Sequence, residues 1–129
     1  MLEINNLTKY SVDEKSFAQV AKKVLSGENR GTETLSLAFI DKTEIKKLNK
    51  KFRNKDEPTD VLSFEGINEI VICPEVVKEN SKKYGTSEKA EMMKVFIHGI
   101  LHLLGYDHEQ SEKEADEMEK KEKEYLSNF

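Results

Sequence analysis

Three histidines, the only ones in the chain, lie close together near its C-terminal end: His98, His102 and His108. His98 and His102 are four residues apart in a run of helical periodicity, so both side chains project from one helix face. Two imidazoles at that spacing can occupy two corners of a zinc tetrahedron, and Gly105 can end the helix so that the chain turns back to present His108. The pattern predicts one metal ion, zinc by preference, with an open coordination position typical of a catalytic site. Three histidines also accept nickel, copper or cobalt, so the metal in the cell stays open.

The histidine spacing is that of the metzincin peptidases, with one difference. Gly99 stands where those peptidases carry their catalytic glutamate. Another group must therefore take a proton from the attacking water, or the metal must acidify that water unaided. Asp107 is one candidate base, and it is equally a candidate for orienting a histidine ring by a hydrogen bond. The other acids that could act as the base are Glu109, Asp60 and Glu69.

The charge of the chain is unevenly distributed. The net charge is −4, but the segment from Lys42 to Lys55 holds seven cations and only one acid, a local charge of +6. This segment predicts a phosphate-binding face, and the alternative is an ordinary solvated helix surface. Within it, we predict phosphate contacts for Arg53 and for four lysines: Lys46, Lys47, Lys50 and Lys51.

Composition predicts one globular domain over residues 1–129. A chain of this length can bury a core of its own, and its apolar residues fall in periodic segments. The single cysteine, Cys73, is expected in the core, and a chain without disulfides suits a reducing compartment. No leader pattern opens the sequence, and no apolar run approaches the roughly 20 residues that span a bilayer. We expect a cytoplasmic protein without a membrane segment.

Periodicity predicts an α+β fold in which helices pack on a small mixed four-stranded sheet, with a zincin-like helix carrying the histidines. We expect strands over 2–5, 34–40, 61–64 and 70–73, the last two forming a hairpin. The expected helices begin at the caps Ser11 and Asp41, at Pro74, and near Ser87 and Ser111. The expected buried positions in these helices include Phe52, Ala90, Met93, Phe96, Ile97, Ile100, Leu101, Leu104, Ala115, Met118 and Tyr125.

Two segments of the chain resemble the signatures of a known family. The sequence from His98 to His108, HGILHLLGYDH, and the stretch of Arg53 followed by PTDVLSF at 58–64 are similar to the motifs of the bacterial YbeY endoribonucleases. The resemblance covers about 35–118. It implies an α+β fold, one zinc ion and cleavage of single-stranded RNA. It further implies maturation of the 3′ end of 16S ribosomal RNA and ribosome quality control, with the small ribosomal subunit as a partner.

The resemblance also implies roles for individual residues. The three histidines correspond to the metal ligands, and Arg53 corresponds to an arginine needed for activity. A guanidinium suits that role because it grips phosphate with two parallel hydrogen bonds and stays charged. Thr59 and Asp60 are expected to shape the entry to the following strand. Asn68 and Glu69 depart from the family's usual Gly-Asp, so the geometry of this turn needs testing. A metallopeptidase and a non-catalytic ribosome assembly factor with a structural metal remain the alternatives.

Overall fold

The computed structural model describes residues 1–106 and 111–127. The α+β class and the mixed four-stranded sheet are confirmed. A short 3-10 turn, Glu65–Ile67, joins β3 to β4. The remaining elements in chain order are β1 Leu2–Asn6, α1 Glu14–Gly27, β2 Leu35–Phe39, α2 Lys42–Arg53, β3 Val61–Phe64, β4 Glu69–Ile72, α3 Pro74–Tyr84, α4 Glu88–Leu103 and α5 Glu112–Leu126.

The sheet has the strand order β1-β2-β4-β3. The β1–β2 and β2–β4 pairs are parallel, and β3 pairs with β4 in the antiparallel hairpin predicted from the sequence. Ser63 lies opposite Ile70 in this hairpin. Strand β3 is thus one of the two edge strands, and one of its sides is left for other elements to approach.

Helices cover both faces of the sheet. The larger core lies between the sheet and helices α1 and α4, with Phe17, Phe39 and Phe96 packed edge to face at its centre. A smaller core lies on the face covered by α2. It contains Cys73, which is fully buried as expected, and burial raises the pKa of its thiol. None of the described helices is both long and apolar enough to cross a membrane.

Of the two helix caps predicted from the sequence, Asp41 is confirmed and Ser11 is wrong. Asp41, Ser87 and Ser111 each accept a hydrogen bond from a backbone amide in the first turn of the helix that they precede. Helix α1 begins later than expected, because Asp13 rather than Ser11 is its cap. Hydrogen bonds from the side chain and backbone of Ser16 lower the pKa of Asp13. A carboxylate is favoured at this end of a helix, where amides are unpaired and the helix dipole is positive.

The prediction that Phe52 is buried is wrong. Its side chain is 57% exposed, although it follows the helical spacing of Ile45, which is fully buried. The ring packs only edge-on against Phe64 of the edge strand, because the last turn of α2 lies at the margin of the sheet. Among the other helix positions expected in the core, Ala90 is exposed and Leu104 and Ala115 are half-buried.

Helix α4 lies unusually close to the β3–β4 hairpin at Gly99. A Cβ atom built on this glycine would lie 3.1 Å from a methyl group of Ile70 and 3.2 Å from Oγ of Ser63. The Ser63 hydroxyl also donates a hydrogen bond to the carbonyl oxygen of Gly99, at 3.1 Å. The absence of a side chain therefore sets the distance between the histidine-bearing helix and the edge of the sheet.

We expect Gly99→Glu to lower the free energy of unfolding by about 3 kcal/mol or more, because overpacking adds to the cost of placing a carboxylate against Ile70. Urea unfolding would measure the loss. The matched control is Gly31→Glu at an exposed glycine whose Cβ would meet only Ser26 Oγ, at 3.8 Å. The control should change stability by less than about 1 kcal/mol. Equal stability of the two variants would contradict the close packing of α4.

Candidate active-site cleft

A cleft of about 930 Å³ lies beside the edge strand β3. Its walls come from four parts of the chain: the end of α2, the segment from the β3 entry to the 3-10 turn, one face of α4, and a single residue of α5. The lining residues are Phe52, Arg53, residues 59–67, Lys94, Val95, His98, His102 and Glu122. Four of the residues predicted from the sequence therefore meet in this cleft: Arg53, Asp60, His98 and His102.

His98 and His102 both line this cleft, as their spacing predicts. They lie one turn apart on α4, with ring centroids 5.0 Å apart and ring planes inclined at 72°. For two imidazoles on one tetrahedral ion at Zn–N distances of about 2.0–2.1 Å, the centroids would stand about 5 Å apart. The pair therefore fits two ligands of a single zinc ion.

The third predicted ligand cannot be located. His108 lies outside the described residues, as do Asp107 and Glu109, two of the candidate bases. Within residues 1–106 and 111–127, no three histidine, cysteine or acidic side chains come together to form a complete metal site. The described residues thus supply two imidazoles, and a complete site needs at least one further donor.

A carboxylate that was not singled out from the sequence contacts His98. Oε1 of Glu122, on α5, lies against Nδ1 of His98 inside the cleft. A carboxylate against one ring nitrogen of a histidine whose other ring nitrogen binds a metal is the usual arrangement of a carboxylate–histidine–metal series. Glu122 lies four residues after Met118 and three before Tyr125, both buried. That helical spacing marks Glu122 as inward-facing among the many acids of α5, and the sequence could have revealed it.

Arg53 is the last residue of α2, and it lines the cleft. The chain turns sharply after it, because Asn54 adopts the left-handed conformation and closes the helix. The loop that follows is tied back to α2 by the buried side chain of Asn49, whose Nδ2 donates to the carbonyl oxygen of Glu57 at 2.9 Å. Arg53 and the loop leading to β3 are thereby held at one end of the cleft.

The four lysines predicted to bind RNA lie on the exposed surface of α2, outside the cleft lining. Lys47 pairs with Glu44 at 3.5 Å, and Lys50 approaches Asp56 at 3.8 Å. The ammonium of Lys51 lies 5.3 Å from the ring centroid of Phe52, and Lys46 is exposed. These residues form a cationic approach to the cleft at Arg53, and their RNA contacts stay a prediction.

A further cation in the cleft, Lys94, was missed in the sequence. It is exposed and lies four residues before His98, so it occupies the same face of α4 one turn earlier. The spacing that identified the histidine pair would also have identified this lysine. Arg53 and Lys94 are the two cationic side chains among the described residues that line the cleft.

Of the two candidate bases near the hairpin, Asp60 lines the cleft and Glu69 does not. Asp60 lines the cleft, and Thr59 Oγ1 donates to its Oδ1 at 3.4 Å. The backbone carbonyl of Asp60 accepts from the Cys73 amide at 2.9 Å, so this residue also shapes the entry to β3. Glu69 is absent from the cleft lining. Because side chains alternate along a strand, Glu69 faces α2, whereas its neighbour Ile70 faces α4.

The departure from the family pattern at Asn68 leaves the turn intact. Asn68 has φ 48° and ψ 47°, a left-handed conformation that asparagine tolerates better than most residues. Its side-chain Nδ2 also donates to Glu33 at 3.1 Å. An asparagine with a hydrogen-bonded side chain thus replaces the conformational freedom of glycine at this position.

Helix α5 is fixed in place by a buried carboxylate on the opposite side of α4. The hydroxyl of Tyr106 donates to Glu28 at 2.6 Å, that of Tyr125 contacts the other carboxylate oxygen, and Lys121 lies 3.5 Å away. Burial opposes ionisation of Glu28, but these hydrogen bonds and the lysine outweigh it and lower its pKa. The hydrogen bond to Glu28 raises the pKa of Tyr106 to about 12. The end of α4 is thus linked to α1 and to the helix that carries Glu122.

Comparison with known proteins gives a consistent result. The family model described as "Endoribonuclease YbeY" matches residues 3–129. The protein named Endoribonuclease YbeY from Bdellovibrio bacteriovorus is 49% identical over 102 residues, which are 75% of this chain and 67% of that protein. The protein of that name from Sulfurovum sp. (strain NBC37-1) is 36% identical, covering 100% of this chain and 90% of the relative.

A solved structure agrees with the sequence comparison. The solution structure of TM1509 from Thermotoga maritima superimposes with a TM-score of 0.75 at 37% sequence identity, over 98% of this chain and 87% of that one. The resemblance noted from the two motifs is therefore confirmed over nearly the whole chain. This chain belongs to the Endoribonuclease YbeY family.

Proposed function

We propose that this protein is a zinc-dependent endoribonuclease that cuts single-stranded RNA in the cleft beside β3. The observation that carries the proposal is the meeting of the His98–His102 pair with Arg53 in one cleft. Metal ligands and a phosphate-binding cation are groups with which a protein can hydrolyse a phosphodiester. The names of the relatives support RNA as the substrate.

The ion would be held by His98, His102 and, on the prediction from sequence, His108. A bound zinc ion supplies Lewis acidity toward a phosphoryl oxygen and acidifies water. The protein's own part is to fix the ligands, and Glu122 does so by holding Nδ1 of His98. Among the acids predicted as the general base, Asp60 lines the cleft in the described part of the chain. There it can accept a proton from the attacking hydroxyl or water. Asp107 stays a second predicted candidate for that step.

Arg53 would bind and orient the scissile phosphate. Its guanidinium can donate two parallel hydrogen bonds to one phosphate and stabilise the charge that develops in the transition state. The lysines of α2, together with Lys94, would neutralise neighbouring phosphates and attract the polyanion. These cations also fit the ribosomal RNA of the small subunit, the substrate and partner that we propose for the cell. Ribosome assembly would place the protein in the cytoplasm.

A metallopeptidase activity is less compatible with the cleft. In a peptidase of this ligand spacing, the residue after the first histidine is the glutamate that activates water. Here that residue is Gly99, which packs directly against Ile70 and Ser63. A longer side chain at this position would collide with the sheet rather than reach the histidines.

The proposal is tested by comparing substrates and metal states. Purified protein would be incubated with a labelled single-stranded RNA, with the same RNA annealed to its complement, and with an unstructured protein. We expect cleavage of the single strand alone, its loss on treatment with a chelator, and its return on adding zinc. A His102→Ala preparation controls for contaminating ribonuclease and should be inactive. Cleavage of the protein substrate with intact RNA would support a peptidase. No cleavage of either substrate by the zinc-loaded protein would support an assembly factor.

Replacing Arg53 tests whether this residue acts on the phosphate or supports the metal site. We expect Arg53→Ala to lower kcat for RNA cleavage by about 10²-fold or more, because a donor that stabilises transition-state charge is lost. Metal content, measured by inductively coupled plasma mass spectrometry, should stay at the wild-type ratio. Arg30→Ala is the matched control, since Arg30 pairs with Glu33 outside the cleft. Loss of metal from Arg53→Ala would show that this arginine supports the metal site instead.

A further inference from the structure

One part of the cleft wall is apolar and exposed. Phe52 and Ile67 are 57% and 68% exposed, and both line the cleft together with Phe64. Leaving a phenylalanine side chain in water forgoes about 1.5–3 kcal/mol of burial energy. Three apolar side chains in the wall of a cleft that also holds Arg53 point to a ligand with both apolar and anionic parts.

The ring of Phe52 is held in a defined position. It packs edge to face on Phe64, with ring centroids 5.1 Å apart and an interplanar angle of 74°. Phe64 is itself half-buried and packs against the core between α2 and the sheet. Phe52 therefore offers a fixed apolar surface that loses little conformational freedom when a ligand covers it.

The surroundings of this ring are cationic. Arg53 is the next residue in the chain and lines the same cleft, as does Lys94. Lys51 lies 5.3 Å from the ring centroid. An unpaired nucleotide has a flat base joined to an anionic phosphate, and proteins that bind single strands combine aromatic rings with cations in this way. The charge pattern favours such a ligand over an apolar protein segment, because an apolar segment offers no anionic group to this part of the cleft.

We propose that Phe52 is the surface on which an unpaired base of the RNA stacks, while Arg53 holds an adjoining phosphate. This inference rests on the proposed function and names a residue that gives preference for single strands. A base within a duplex is stacked and paired on its own strands, so its face is not available to the ring. The preference would thus come from contact with a base rather than from the metal.

Equilibrium binding tests the inference. Fluorescence anisotropy with a labelled single-stranded RNA, in chelator to prevent cleavage, would compare wild type with Phe52→Ala and Phe52→Trp. We expect the Kd to rise about 5- to 150-fold in Phe52→Ala, from the usual contribution of one base–aromatic stack. Phe52→Trp should stay within about threefold of wild type because it keeps a stacking face. Tyr84→Ala, which removes an equally exposed ring outside the cleft, is the control and should bind as wild type.

An abasic substrate makes the test specific to stacking. RNAs carrying one abasic site at successive positions would be titrated against wild type and Phe52→Ala. At one position, removing the base should raise the Kd of wild type by the same factor as the Phe52→Ala substitution does. Phe52→Ala should then bind the abasic RNA no more weakly than it binds the intact RNA. If wild type binds the RNA and Phe52→Ala binds it equally well, the inference is wrong and the apolar wall serves a protein contact. If wild type binds no RNA with or without zinc, the proposed function itself fails.

Discussion

The close contact between α4 and the β3–β4 hairpin at Gly99 determines where the two histidines of the cleft lie. His98 precedes this glycine and His102 follows it by three residues. When the helix packs against the sheet at Gly99, both histidine rings are therefore brought to the edge of the sheet at β3. On the sheet side, Ser63 fixes the contact by a hydrogen bond to the helix backbone. Gly99 therefore does more than remove the glutamate that a peptidase would carry. Its lack of a side chain is also needed for α4 to pack against the sheet.

Helix α5 supplies the second constraint on the histidine pair. Most of its side chains are charged and exposed, yet Met118 and Tyr125 are buried and orient the helix on the protein. Glu122 lies between them in the sequence and faces His98. Glu28 anchors the same helix through Tyr125. A helix that composition describes as a solvated surface thus also positions the side chain of His98.

Local patterns in the sequence predicted much of the fold and part of the cleft. The four-residue histidine spacing, the β3–β4 hairpin and the Asp41 helix cap depend on interactions between near neighbours, and these are confirmed. The exposure of Phe52 depends on the width of the sheet, which no local pattern encodes. The contact of Glu122 with His98 joins residues far apart in the chain, although helical spacing marked the acid as inward-facing. Glu69 could be excluded from the cleft only once the pairing of β4 had fixed which face it occupies.

A competitive zinc titration tests whether the histidine pair of α4, with Glu122 of α5 against His98, belongs to a site for one zinc ion. We expect one equivalent bound per chain by wild type and none at comparable affinity by His102→Ala. We expect a 10- to 100-fold weaker affinity for Glu122→Gln, the usual effect of removing a carboxylate that orients a histidine ligand. Glu119→Gln, at an exposed acid of the same helix, should bind as wild type. Zinc binding that His102→Ala leaves unchanged would show that the pair does not hold the ion.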